Sequence, residues 1–206
     1  MSVFDSRANE WDKKTRRVQL AKDVVSSIIK CAKPEKNIDI ADFGTGTGLI
    51  MLGLADYAKS MVGYDSSQGM LDVLAEKSAE AGISNLQTVL FDLDNEKFPV
   101  EAFDMMTCSM VAHHLDNPEM FFSKAYDGIK KGGKLCLADL IITDEPFHEA
   151  PAQGEIKHEG FEVKWIEEVL LNAGYINVEI YQAAVIEKER DGKKLDFPVF
   201  LAVAEK

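Results

Sequence analysis

Cysteine is scarce in this chain. Cys31, Cys108 and Cys136 are the only three in 206 residues, an odd number with no C-x-x-C spacing. That excludes a disulfide framework and a paired-thiol metal site, and reads as reduced interior thiols of a cytoplasmic protein. Positive charge is short as well: 23 Lys and Arg stand against 35 Asp and Glu, a formal net charge of −12. A nucleic-acid partner needs lysine and arginine to replace phosphate counterions, so RNA and DNA are not expected as partners. Anionic membrane surfaces are disfavoured for the same reason. No long apolar run occurs, and charges interrupt the first thirty residues throughout, so neither a signal peptide nor a membrane anchor is expected. Repeats, low-complexity tracts and linker-like composition shifts are also lacking. What remains is one domain over 1–206, with a 46% hydrophobic fraction sufficient for a core. The simplest expected acceptor or ligand is small, and neutral or cationic.

The stretch from Ile38 to Leu49 organises the rest. An apolar run ends in Asp42-Phe43-Gly44-Thr45-Gly46-Thr47-Gly48 and passes directly into Leu49-Ile50-Met51-Leu52. This reads as a buried parallel strand, a tight turn and a helix start. Glycines let backbone approach a ligand and adopt positive φ, and the helix start offers free N–H groups. Two familiar motifs are missing. A G-x-G-x-x-G dinucleotide fingerprint would need glycine where Leu49 stands, and a phosphate loop would need a Gly-Lys-Ser/Thr ending.

Along the chain, a polar segment carrying Phe4 and Trp11 precedes a helix over about 14–30, whose inward residues are Ala21, Val24, Val25 and Ile28. Residues 1–33 read as an N-terminal helical unit, with Trp11 a hydrophobic staple onto the domain. Strands are expected over 37–43, 61–65, 86–91, 103–109 and 134–142. The first helix between them should reach about Lys59. Asn117-Pro118-Glu119 is a helix start. Asp65 closes the second strand, 17 residues beyond Gly48, where a carboxylate can accept both hydroxyls of a ribose. Asp139 lies inside an apolar strand, either at the mouth of a site or as a satisfied interior carboxylate. Residues 143–160 lose all period, which suits a functional loop on the acceptor side. Residues 175–186 and 197–204 should form an antiparallel pair joined by the charged turn 187–194.

Alternating strands and helices give a parallel sheet covered on both faces, with ligands at the C-terminal strand ends. Asp42–Gly48, Asp65, Asp92-Leu93 and Ser109–His114 all fall at such ends. Together with Gly63–Leu71, the His113-His114-Leu115 turn and the Ile129–Lys134 segment, these residues resemble the class I S-adenosylmethionine-dependent methyltransferases. The likeness is to the small-molecule branch that includes the ubiquinone and menaquinone biosynthesis enzymes. It covers about residues 36–140, and more loosely His158–Phe161 and the final hairpin. It also offers a second reading of residues 1–33 with Trp11, as a cap that folds over the cofactor as a lid.

The resemblance implies a Rossmann-like α/β fold, a seven-stranded sheet of order 3-2-1-4-5-7-6 with strand 7 antiparallel. It implies S-adenosylmethionine contacts at Asp42, Gly44, Thr45, Gly46, Gly48, Asp65, Ser66, Met70, Asp92, Leu93, Ser109 and Met110, with Asp92 on the adenine amino group and Leu93 walling the ring. The chemistry is in-line methyl transfer to a small-molecule acceptor. His113, His114 and, from the long loop, His158 and His148 are candidates for proton transfer. No pair of histidines has metal-site spacing. A noncatalytic S-adenosylmethionine-binding module and a nicotinamide oxidoreductase are the competing readings. The methylated atom and the oligomeric state are not legible.

Overall fold

The computed structural model describes residues 4–148 and 156–206. Seven strands form one sheet in the order β3-β2-β1-β4-β5-β7-β6: β1 (Ile38–Phe43), β2 (Ala58–Asp65), β3 (Leu86–Leu90), β4 (Phe103–Ser109), β5 (Ile129–Leu140), β6 (Ile176–Arg190) and β7 (Lys193–Glu205). The first five pair in parallel, while β7 runs antiparallel to both β5 and β6. Among the described residues, five α-helices accompany them: α1 (Thr15–Ala32), α2 (Leu49–Gly53), α3 (Gln68–Glu80), α4 (Pro118–Gly128) and α5 (Val163–Asn172).

Each face of the sheet is buried by a different set of apolar side chains. Ala21, Val24, Ile28 and Ala32 return at helical spacing along α1 and meet Met51, Met61 and Leu201. On the opposite face α4 and α5 bring Phe121, Phe122, Ile166 and Leu170 against Phe43, Phe103 and Leu135. A dense aromatic group lies there, with Phe43 stacked on Phe121 at 4.4 Å and Phe91 on Phe98 at 4.7 Å between ring centroids. These rings brace the ends of β1 and β3, from which two of the expected ligand loops depart. Cys108 and Cys136 are buried in the core and Cys31 is half-buried.

Several boundaries differ from the sequence reading for identifiable reasons. The helix expected to reach Lys59 is α2, five residues long, followed by a 3₁₀ turn at Ala55–Tyr57. The following residues pair with the sheet instead, Ala58 lying opposite Ile38. The turn expected over 187–194 contracts to two residues, because Arg190 still pairs with Lys193. Asp191 and Gly192 take φ of 50° and 73°, the two positive values that a tight hairpin requires. The Asn117 cap is as the sequence implies: its side chain accepts the Met120 N–H, with Pro118 in the first turn. Part of the expected acceptor-side loop, 149–155, lies outside the described residues.

Candidate active site

The C-terminal ends of β1, β2, β3 and β4 open onto one cavity of about 1410 Å³. The loop after β1 is fastened to its neighbour through the backbone. Gly44 and Thr45 donate N–H bonds to the Tyr64 carbonyl at 2.8 and 3.0 Å. Asp65 completes the tie, accepting the Gly46 N–H on one oxygen at 2.8 Å and the Ser67 N–H on the other at 2.9 Å. Burial pushes the Asp65 carboxyl up, against those backbone donors that favour its ionised form. Asp65 is among the residues that line the cavity.

Gly46 shows why this loop is glycine-rich. It takes φ of +54°, and a Cβ placed there would meet nothing within 4 Å, so the absent side chain leaves open space along the cavity wall. The buried Thr45 hydroxyl has no hydrogen-bond partner of acceptable geometry among the described residues. An open backbone cradle with a buried hydroxyl beside it fits a polar ligand group. Gly48 is not on the wall. It precedes α2 at φ of +80°, where a side chain would collide with Leu74, so it serves the strand–helix junction.

Asp42 sits below the loop at 2% exposure. It accepts a 2.6 Å bond from the Thr107 hydroxyl, yet burial still pushes its carboxyl up to about 7. Ser66 and Met70 also line the cavity. Asp92 lies at the rim with both oxygens engaged by its own turn, one by the Asp94 N–H and the other by the Asn95 amide. Those donors hold its carboxyl below the usual range. Leu93 is buried alongside, and Lys124 pins this turn through the carbonyls of Leu93 and Glu96.

The other half of the cavity is assembled from distant segments. Ser109 ends β4, and Met110 takes φ of 58°, an uncommon conformation for methionine, held by its N–H bond to Ala138 at 2.8 Å. His113, 2% exposed, places Nδ1 2.6 Å from Asp139 Oδ1. Asp139 is thus an interior carboxylate, partnered by an imidazole 26 residues away. His114 and His148 line the same space, with ring centroids 4.1 and 5.5 Å from His113. His158 does not line it. The backbone N–H groups of Lys157 and His158 both bond to the His113 carbonyl, and the His158 ring turns to the Leu115 carbonyl at 3.1 Å. Among the described residues, no three His, Cys, Asp or Glu side chains gather as metal ligands.

The segment before α1 was the least legible contributor. A 3₁₀ helix at Asp5–Lys13 lies across the loop after β1. Asp12 accepts bonds from the Thr47 hydroxyl and Lys77 Nζ, both at 2.6 Å. Asp5 accepts from the Ser67 hydroxyl at 2.6 Å and the Gly69 N–H at 3.0 Å, at the start of α3. Phe4 and Trp11 meet edge to face and line the cavity, with the Arg17 guanidinium over the Trp11 ring. Nothing in the spacing of Asp5 and Asp12 along this segment announces these bonds.

A doubly wound sheet with this strand order, a glycine loop after β1 and an acid after β2 defines the class I methyltransferase fold. The methyltransferase-domain family matches residues 41–137. An uncharacterised methyltransferase of Schizosaccharomyces pombe is 34% identical over 160 residues, covering 71% of this chain and 56% of the relative. A ubiquinone biosynthesis O-methyltransferase of Coxiella burnetii is 27% identical over 143 residues, covering 68% and 61%. Among solved structures, a Haloferax volcanii methyltransferase in complex with the Trm112 methyltransferase activator has a TM-score of 0.79 at 17% identity, covering 100% of this chain and 98% of that chain. The chain spans less than two thirds of the length of these two curated relatives. In its fold and in the matched domain it is similar to the class I S-adenosylmethionine-dependent methyltransferases, whose cofactor is S-adenosylmethionine.

Proposed function

We propose that this protein transfers a methyl group from S-adenosylmethionine to a small-molecule acceptor and releases S-adenosylhomocysteine. The observation that carries the reading is the single cavity onto which four successive strand ends open. Asp65 would hold the ribose hydroxyls, Asp92 and Leu93 the adenine, and Asp42, Thr45 and Gly46 the amino-acid end. A cationic ammonium near Asp42 would restore the charge that burial suppresses. When bound, the cofactor supplies an activated sulfonium methyl, so the protein's work is largely alignment of the acceptor and exclusion of water. The segment carrying Phe4 and Trp11 would cover the cofactor.

The volume supports a second ligand. At about 1410 Å³ it exceeds the roughly 300–1,000 Å³ usual for one drug-sized molecule. Its far end is walled by Phe147, His148 and Ile186, and the charge of −12 argues against a polyanionic acceptor. Calorimetry with S-adenosylhomocysteine, followed by assay of its release from S-adenosylmethionine with a metabolite panel, tests the assignment. Micromolar binding with acceptor-dependent turnover is the expected result. Retention of a nicotinamide cofactor with no S-adenosylmethionine binding would overturn it.

A further inference from the structure

The pairing of His113 with Asp139 fixes where the imidazole proton sits. Asp139 Oδ1 also receives the Leu140 N–H at 2.8 Å, and Oδ2 receives the His113 N–H at 3.2 Å. Backbone amides can only donate, and two of them on this carboxylate favour its ionised form, which takes the hydrogen bond from His113 Nδ1–H. Neutral His113 therefore presents a bare Nε2. Among the described residues no group bonds to that nitrogen, and the side chain lines the cavity.

We propose that His113 Nε2 is the base that removes a proton from the acceptor, with Asp139 as its positioning residue, and that the acceptor is attacked through a hydroxyl or N–H group rather than a thioether or tertiary amine. This rests on the methyltransferase reading. For a hydroxyl, the O–H proton passes to Nε2 and an oxygen electron pair forms the new bond to the methyl carbon. For an amine, the nitrogen lone pair forms that bond, the proton passes to Nε2 and the N–H electron pair stays on nitrogen. The carbon–sulfur pair stays on sulfur, leaving a neutral thioether. The imidazolium formed is balanced by Asp139 and releases its proton to water after product leaves.

The surroundings suit that cycle. Burial disfavours charge on His113, but the charge and hydrogen bond of Asp139, with Glu159 from the segment before α5, outweigh it and raise the His113 pKa. His148, facing it from beyond β5, is driven the other way by burial and by His113 itself. His114, beside it on the same turn, packs its ring against Phe4 at 5.5 Å. Proton uptake is thus directed to His113 and away from His148.

Two measurements on the full chain with S-adenosylhomocysteine bound decide the matter. Nitrogen-15 NMR of the histidine rings should show neutral His113 protonated at Nδ1, titrating above an ordinary histidine, with the titration moved to lower pH in Asp139→Asn. In parallel, S-adenosylmethionine turnover is assayed with phenols, primary amines and thiophenol, the last largely ionised near neutrality. His113→Gln should lower kcat for phenols and amines by about a hundredfold or more, spare thiophenol, and leave S-adenosylhomocysteine affinity within about twofold. Raising the pH until the phenol ionises by itself should restore turnover. An Nε2–H tautomer in the wild-type protein overturns the proposal whether or not any probe is methylated, as does a variant that loses cofactor affinity instead of turnover. Absence of S-adenosylmethionine binding by the wild-type protein would instead remove the methyltransferase reading itself.

Discussion

The two halves of the cavity are built by different means. On the cofactor side, neighbouring loops hold one another through backbone N–H groups: those of Gly44 and Thr45 donate to the Tyr64 carbonyl, and those of Gly46 and Ser67 to the Asp65 carboxylate. On the acceptor side, the contacts join segments far apart in the chain. His113 meets Asp139, and Arg190 of β6 donates to the carbonyls of Pro146 and Phe147. A wall made of backbone amides is suited to one invariant ligand, because few side-chain changes alter it. One made of side chains from three elements can be recut residue by residue without disturbing the sheet. If this contrast is right, substitutions on the first side should move cofactor affinity, and those on the second should leave it alone.

The largest expected effect falls on stability at the base of the cofactor half. Asp42 has its carboxyl raised to about 7 by burial, above its unfolded value near 3.8. The folded state therefore holds this proton more tightly. The resulting stabilisation is fully present below about pH 4 and is lost as pH rises through about 7. A shift of this size corresponds to at most about 4 kcal/mol. Asp42→Asn, which keeps an acceptor for Thr107, should be the more stable protein at pH 8 and show a flatter urea-midpoint profile between pH 4 and 7. It should also bind S-adenosylhomocysteine more weakly. A variant less stable than wild type at pH 8 would show that the carboxylate is structurally required there.

Next comes Gly46→Leu, which fills the open cradle. S-adenosylhomocysteine affinity should fall by about a hundredfold or more, roughly 3 kcal/mol. The left-handed φ should add about 1–2 kcal/mol of instability. Calorimetry alongside denaturation separates the two; undiminished affinity would place the ligand elsewhere.

These first two positions lie where the sequence was most legible. The strands themselves, the glycine loop and the acid closing β2 are local patterns, carried by apolar period, turn chemistry and spacing, whereas the strand order was legible only through the resemblance to the methyltransferases. The Asn117-Pro118 cap is another. The partner of Asp139 was not legible, because a lone acid in an apolar strand states only that some donor must meet it; the pairing of β4 with β5 chooses His113. The contacts of Asp5 and Asp12 were hidden for the same reason. Asp191-Gly192 was a readable hairpin signal, obscured by the charged residues around it.

Asp65→Ala should weaken S-adenosylhomocysteine binding by about 1–3 kcal/mol, through loss of charge-assisted hydrogen bonds. Because the same carboxylate ties the Gly46 and Ser67 N–H groups, hydrogen exchange at both amides should quicken even without ligand. Unchanged affinity by calorimetry would break the ribose assignment, while unchanged exchange would show that the loop is held well enough by Tyr64.

Arg190→Ala is the smallest perturbation and the sharpest test of independence. Its guanidinium bonds Pro146 O at 2.6 Å and Phe147 O at 2.5 Å, and lies 5.4 Å from the centre of the Phe197 ring. Lys188 shares the Phe147 carbonyl and sits over the Phe147 ring at 3.4 Å, so the clamp should loosen without opening. Stability should change by less than about 1 kcal/mol, as for other partly exposed charged contacts. Cofactor affinity should stay within about twofold, whereas the His148 ring signals should shift or broaden as the segment before it gains freedom. A loss of S-adenosylhomocysteine affinity comparable to that of Asp65→Ala would join the two halves into one cooperative unit. Retained affinity together with a changed His148 environment is what separate construction requires.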